Sequence, residues 1–167
     1  MPSRFDVCQT TTLAGRVTAS DPVDFNSIAI TFVKIDGSEL VRFNARTGAR
    51  EVLVPSTSLT PNGASAPLDV EDYFWSPDHK RLLIFTASER VWRENTRGDY
   101  RVLDLASHQL RKLGGDAPQS TLMFAKFAPD GGRVAYVRQN DIYVEDVVGG
   151  AITRLTRDGS RTIINGT

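Results

Sequence analysis

Trp75-Ser76-Pro77-Asp78-His79-Lys80-Arg81-Leu82 is answered 52 residues later by Phe127-Ala128-Pro129-Asp130-Gly131-Gly132-Arg133-Val134. Both stretches read aromatic, small, Pro, Asp, turn, basic, apolar. Each part has a physical task. The aromatic closes one strand in the core, Pro and Asp reverse the chain in a tight turn, and the apolar run opens the next strand.

A second correspondence lies downstream, where Asp99 to Leu113 matches Asp141 to Leu155 at an offset of 42, pairing Asp104 with Asp146 and Leu113 with Leu155. The same half-repeat returns weakly upstream, with Phe43-Asn44 in the place of Leu103-Asp104 and Leu53 in that of Leu113. Leu82-Leu83-Ile84-Phe85, Tyr100-Arg101-Val102-Leu103, Arg133-Val134-Ala135-Tyr136-Val137 and Ile142-Tyr143-Val144 are short, β-branched or aromatic, and bounded by turn formers, as strands are. A period of about 40–50 residues with several short strands per unit is that of a β-propeller blade.

The expected fold class is therefore all-β, a partial β-propeller of about three four-stranded antiparallel blades. The units run over about 25–60, 70–115 and 120–157, with the start of another at 158–167, behind a poorly defined segment 1–24. A ring typically needs about 4–8 blades. Three units leave unpaired sheet edges, which invite association.

Composition narrows the function classes. Twenty Lys plus Arg offset twenty Asp plus Glu among 167 residues, so the basic footprint of a nucleic-acid binder is missing. No run is long and apolar enough to span a membrane as a helix. Cys8 is the single cysteine and forms no intramolecular disulfide. Met1 to Gly15 lacks the apolar core of a secretory signal, which places the chain in the cytoplasm if Met1 is the true start and leaves the periplasm or secretion open if it is not. Two histidines far apart and one cysteine give no zinc spacing, and no phosphate loop is found, Gly114-Gly115 and Gly149-Gly150 being read as hairpin turns. No cofactor is expected. Asn165-Gly166-Thr167 matches a glycosylation sequon, but Asn-Gly is first a turn signal.

The drop in offset from 52 to 42 means that the Trp75 unit carries ten extra residues between Phe85 and Asp99. The segment Thr86 to Gly98 holds Arg90, Arg93, Arg97 and Trp92. Such an insertion projects from the blade, and projecting loops are where binding groups sit. An arginine there offers a planar fork of donors to a carbonyl or carboxylate; pairing of Arg93 with Glu89 or Glu94 is the structural alternative.

The stretches Asp72-Tyr73-Phe74-Trp75-Ser76-Pro77-Asp78, Val91-Trp92-Arg93, Tyr100 to Leu105, Leu122 to Pro129, Val134 to Val137 and Asn140 to Val144 resemble, in order and spacing, the early propeller blades of dipeptidyl peptidase IV-like serine peptidases. Ile163 to Thr167 is similar to the segment that these proteins place before an acidic recognition motif, and weaker similarity reaches Ile30-Thr31-Phe32-Val33. The resemblance implies an eight-bladed propeller capping an α/β-hydrolase domain that removes dipeptides from peptide amino termini. It implies that Arg93 is a substrate-binding residue holding the carbonyl of the substrate's second residue. Arg90 and Arg97 do not match that position. The resemblance leaves a homodimeric parent open.

The paired glutamates, the Gly-x-Ser-x-Gly elbow and the downstream acid and base of that family are not in this sequence. His79 falls where Gly131 does and His108 where Gly150 does, so both are expected in exposed turns and no catalytic residue is assigned. The chain is thus expected to be an amino-terminal propeller fragment of an exopeptidase, inactive alone, with peptide as the partner of the complete protein. The alternative is a stand-alone propeller-like interaction module.

Overall fold

The computed structural model describes residues 31–91 and 94–166, and the side chains of all of these except 91, 94 and 95. The described residues hold eleven strands and one 3-10 turn, Ser56–Leu59, and no α-helix. The fold is all-β and antiparallel, as the sequence predicts. It divides into two units with the boundary between Ser56 and Thr57.

The first unit is a three-stranded sheet of β1 (Thr31–Asp36), β2 (Glu39–Asn44) and β3 (Arg50–Val54), in that order. Phe32 faces Phe43 across the β1–β2 ladder and the rings stack at 5.5 Å. Arg42 lies opposite Glu51 and donates to both of its oxygens at 3.1 Å.

The second unit holds two meanders: β4 (Val70–Trp75), β5 (Arg81–Val91), β6 (Glu94–Asp104) and β7 (Leu110–Lys112), then β8 (Leu122–Phe127), β9 (Arg133–Arg138), β10 (Asp141–Asp146) and β11 (Ile152–Arg154). Both run four strands, each paired with the next. A short β6–β8 ladder, Arg97 to Met123 and Gly98 to Leu122, joins them into one sheet. Leu82 to Thr86 are buried without a break, so both faces of β5 are covered, and β5 lies between β4 and β6 in the sheet. Leu83, Phe85, Tyr100, Val102, Leu113, Leu122, Val134 and Tyr136 form the core, with Phe127 packed against it.

The repeat is a repeat of hydrogen bonds. Trp75 faces Leu82 as Phe127 faces Val134. Ser76 N donates to Arg81 O as Ala128 N does to Arg133 O, both within 2.9 Å. The later turn occurs three times: the amides of Asn44, Asp104 and Asp146 donate five residues ahead, to Ala49, Gln109 and Ala151. In each, the Oδ1 of that Asn or Asp accepts the amides two and three residues on. That Asx geometry is why Asn and Asp alternate there.

Three expectations need correction, and one correspondence holds for the backbone alone. Trp75 and Phe127 are half-buried rather than fully buried; Trp75 leans on His79, with ring centroids 5.7 Å apart. Val54, not Leu53, takes the buried place of Leu113, because a bulge between Leu40 and Val41 advances the β2–β3 register by one residue. Leu155 repeats the backbone bond of Leu113, donating to Ile142 O, but its side chain is 58% exposed. Gly114-Gly115 is no hairpin turn, since β7 and β8 both pair with β6 and not with each other; Gly149-Gly150 does turn β10 into β11.

Candidate functional site

The insertion lengthens one hairpin. β5 and β6 have eleven residues each, against six each in β9 and β10. The β9–β10 pair closes at Arg138–Asp141 through Gln139 and Asn140, both at positive φ, a two-residue hairpin turn. In contrast, β5 and β6 continue from Thr86–Asp99 through Glu89–Arg97 to Val91–Glu94, with register shifts on either side of Glu89. Such bulges increase local twist and re-aim a strand.

Arg93, the residue singled out for substrate binding, lies outside the described residues, as does Trp92. Arg90 and Arg97 on the same hairpin are exposed. Glu89 sits opposite Arg97 in the ladder.

Where the hairpin leaves the sheet, its strands are held on both sides. Toward β4, Thr86 Oγ1 donates to Asp69 O at 2.7 Å and Ser88 N to Glu71 Oε1 at 2.8 Å. On the side of the β7–β8 connection, Ser120 N donates to Asp99 Oδ1 at 2.9 Å, and Ser120 Oγ to Ala87 O at 2.6 Å. Asp99, 5% exposed, has Lys112 Nζ at 3.2 Å.

Sequence reasoning missed these carboxylates, although the signal was present. The offset of 42 that pairs Asp99 with Asp141 also pairs Lys112 with Arg154. Asp141 is fully buried and ion-paired with Arg154. Its Oδ1 accepts from Thr156 Oγ1 at 2.8 Å, Gly159 N at 3.0 Å and Asn165 Nδ2 at 3.3 Å. Burial pushes its pKa up, but the bonds from Thr156, Arg154 and Gly159 outweigh that and leave it lowered. A third buried carboxylate, Glu145, accepts from Gly114 N at 2.8 Å and Tyr136 OH at 3.2 Å. The sequon asparagine is engaged as well: Asn165 Nδ2 also donates to Asn140 O at 3.1 Å and Asp158 Oδ1 at 3.0 Å.

Both histidines occupy exposed turns at φ 55°, where their counterparts are Gly131 and Gly150. His108 Nδ1 lies 2.9 Å from Ser58 Oγ. Among the described residues no group of three or more His, Cys, Asp or Glu is placed to hold a metal, and no helix is long and apolar enough to cross a membrane.

Residues 76–167 match the family model of the dipeptidyl peptidase IV N-terminal region. The chain belongs to that family. It is 30% identical over 149 residues to dipeptidyl aminopeptidase B of Saccharomyces cerevisiae, covering 89% of this chain and 17% of the yeast protein. A probable dipeptidyl-aminopeptidase B of Aspergillus clavatus is 31% identical over 91 residues, 54% of this chain and 10% of that one. This dipeptidyl peptidase IV-like chain thus spans under a fifth of the length of these relatives. The crystal structure of Porphyromonas gingivalis dipeptidyl peptidase 4 superposes with a TM-score of 0.65 at 22% identity, over 78% of this chain and 18% of that one. At that identity the likeness carries the fold, a run of propeller blades.

Proposed function

We propose that the chain is an amino-terminal part of the propeller of a serine exopeptidase that releases dipeptides, and that this part caps a hydrolase domain and helps bind the peptide's amino-terminal region. The family match and the names of the relatives support the reaction class. The observation that carries the binding role is the β5–β6 hairpin, whose eleven-residue strands extend beyond the six-residue scale of β9 and β10. Arg93 belongs to the segment joining those strands. Its guanidinium would grip the substrate backbone with charge-assisted hydrogen bonds, while nucleophile, base and oxyanion donors come from sequence beyond this chain.

The test is Arg93→Ala in the complete peptidase. Loss of a charged hydrogen bond of about 1.5–3 kcal/mol lowers kcat/KM about ten- to a hundredfold. Lys restores the charge but not the planar fork, so its rescue is partial, and Arg97→Ala is the internal control. Kinetics unchanged in Arg93→Ala remove the substrate role; an unfolded protein assigns the arginine a structural partner instead. The isolated chain is expected to release no dipeptide from a chromogenic X-Pro substrate. Turnover that survives removal of contaminating peptidases refutes the division of labour.

A further inference from the structure

We propose that Ser120 is a positioning residue: its hydroxyl and amide fix the angle at which the β5–β6 hairpin leaves the sheet, and so how the hairpin is presented to a peptide. This rests on reading the hairpin as substrate-facing. Ser120 lies in the β7–β8 connection, outside the hairpin, yet it bonds both hairpin strands at once. Its amide reaches Asp99 of β6 at 2.9 Å and its hydroxyl reaches the Ala87 carbonyl of β5 at 2.6 Å.

The Ala87 carbonyl lies where the β5–β6 ladder is interrupted. Ala87 follows Thr86, the last residue paired before the first register shift, and a bulge leaves its extra residue without a ladder bond. The Asp99 end is fixed in turn by Lys112 Nζ at 3.2 Å. Between them Gly98 admits no side chain: a Cβ there would meet the Phe85 ring and come within 2.9 Å of Thr86 O. Both strands of the root are therefore set by close packing as well as by hydrogen bonds.

Backbone strain collects at the same place. Ala87, Ser120 and Phe124 all adopt left-handed conformations, at φ 50°, 57° and 54°, where Cβ crowds the following carbonyl. Phe124 lies beside Met123, which faces Arg97 across the β6–β8 ladder. Strained non-glycine residues persist only where the surroundings over-determine them, and they gather at functional sites. Around Ser120 the over-determination is visible, with bonds to two strands and, behind one of them, a buried carboxylate ion-paired with a partly exposed lysine.

A merely structural staple and a positioning residue are separated by two substitutions. Ser120→Ala removes the hydroxyl and keeps the strained backbone; Ser120→Gly removes the hydroxyl and relieves the strain. Gly is therefore the more stable of the two variants. The first measurement is amide hydrogen exchange on this chain. Residues 86–99 are expected to exchange roughly three- to tenfold faster in both variants, as loss of one hydrogen bond implies, with 133–146 unchanged. Equal rates in 86–99, or a uniform rise across the chain, overturn the lock.

The second measurement is a double-substitution cycle with Arg93→Ala in the complete peptidase. Ser120→Gly is expected to lower kcat/KM about three- to tenfold through KM, and to add no loss once Arg93 is replaced. Recovery of full activity in Gly but not in Ala makes Ser120 a stability residue and overturns the proposal, as do additive losses. If exchange rises but Arg93→Ala has no kinetic effect, the substrate-facing reading fails while the lock on the hairpin stands.

Discussion

Lys112 Nζ stands 3.2 Å from Asp99 Oδ2 in one meander, and 42 residues further on Arg154 meets Asp141 in the same register of the next. Each carboxylate also accepts an amide from the segment that follows its meander, Ser120 N and Gly159 N respectively. The repeated pattern is thus a buried acid tying an outer strand and the exit of its own blade.

The two partners of the first pair are not equally exposed, and that sets unequal costs. Asp99→Ala leaves the Ser120 amide without its acceptor, and is expected to cost about 2–4 kcal/mol. The Lys112 side chain is 29% exposed, so water takes over part of its role and Lys112→Met is expected to cost about 1 kcal/mol. Urea midpoints at constant m-value measure both. Equal costs would mean that the amide contributes nothing.

Tyr136 OH donates to Glu145 Oε2 at 3.2 Å, in a site where both residues are buried. Burial first, and then the charge and hydrogen bond of Glu145, push the phenol's pKa well above its ordinary 10.0. The folded state therefore holds this proton more tightly than the unfolded chain. Its contribution is fully present below pH 10 and is lost as pH rises beyond it. Tyr136→Phe is expected to cost about 1 kcal/mol near neutrality and to flatten the alkaline decline. An unchanged decline above pH 10 in the variant would assign it to other groups.

Much of this fold is legible in the sequence because the turns are made of side chains that announce themselves. Pro-Asp at 77–78 and 129–130, and Asn or Asp at 44, 104 and 146, mark reversals that local hydrogen bonds then build. What sequence cannot carry is the surroundings. Leu113 and Leu155 match in sequence and in backbone bonding, yet Leu113 is fully buried and Leu155 is 58% exposed: Leu113 shares a core with Leu122, Val134 and Tyr136 of β8 and β9, while β11 is the end strand of the described sheet. The β2–β3 bulge that promotes Val54 over Leu53 leaves no mark in composition. The buried acids were legible only as aligned letters, since burial of Asp99 and Asp141 depends on segments about twenty residues away. Leu113→Ala is expected to cost about 2–5 kcal/mol and Leu155→Ala under about 0.5 kcal/mol. Similar thermal shifts for the two would erase the distinction.

Turn strain gives a prediction of unequal costs at equivalent positions. Gly131, at φ 67°, has ordinary contacts around a built Cβ, the nearest being Asp78 Oδ1 at 3.5 Å. Gly131→Ala is therefore limited by backbone conformation alone and is expected to cost about 1–2 kcal/mol. His79 holds the same turn position at φ 55°. His79→Gly relieves strain but frees the unfolded chain and loses the Trp75 contact, so a change within about 0.5 kcal/mol is expected. Thermal midpoints of both variants check this; a loss at His79 as large as that at Gly131 would show that the histidine ring, not the backbone, secures its turn.

Asp141 supplies the acid-side counterpart of Tyr136. Burial raises its pKa, but hydrogen bonds from Thr156, Arg154 and Gly159 prevail, and the folded value lies below the ordinary 3.8. The unfolded chain therefore takes up the proton first as pH falls. The stabilisation is present above pH 3.8 and is lost as pH drops from there through the folded pKa. Asp78, Asp104 and Asp130 are lowered as well, so the acid slope of the parent chain is not the test. The test is the gap between parent and Asp141→Asn. At pH 7 the variant lacks the charge that Arg154, Thr156 and Gly159 converge on, and is the less stable. As pH falls below 3.8 the unfolded parent takes up a proton that the folded Asp141 still resists, so the gap in urea midpoint narrows steadily down through the folded pKa. A gap that stays constant from pH 7 to pH 2.5 would mean that the carboxylate's shape, and not its charge, holds the segment from Thr156 to Asn165 in place.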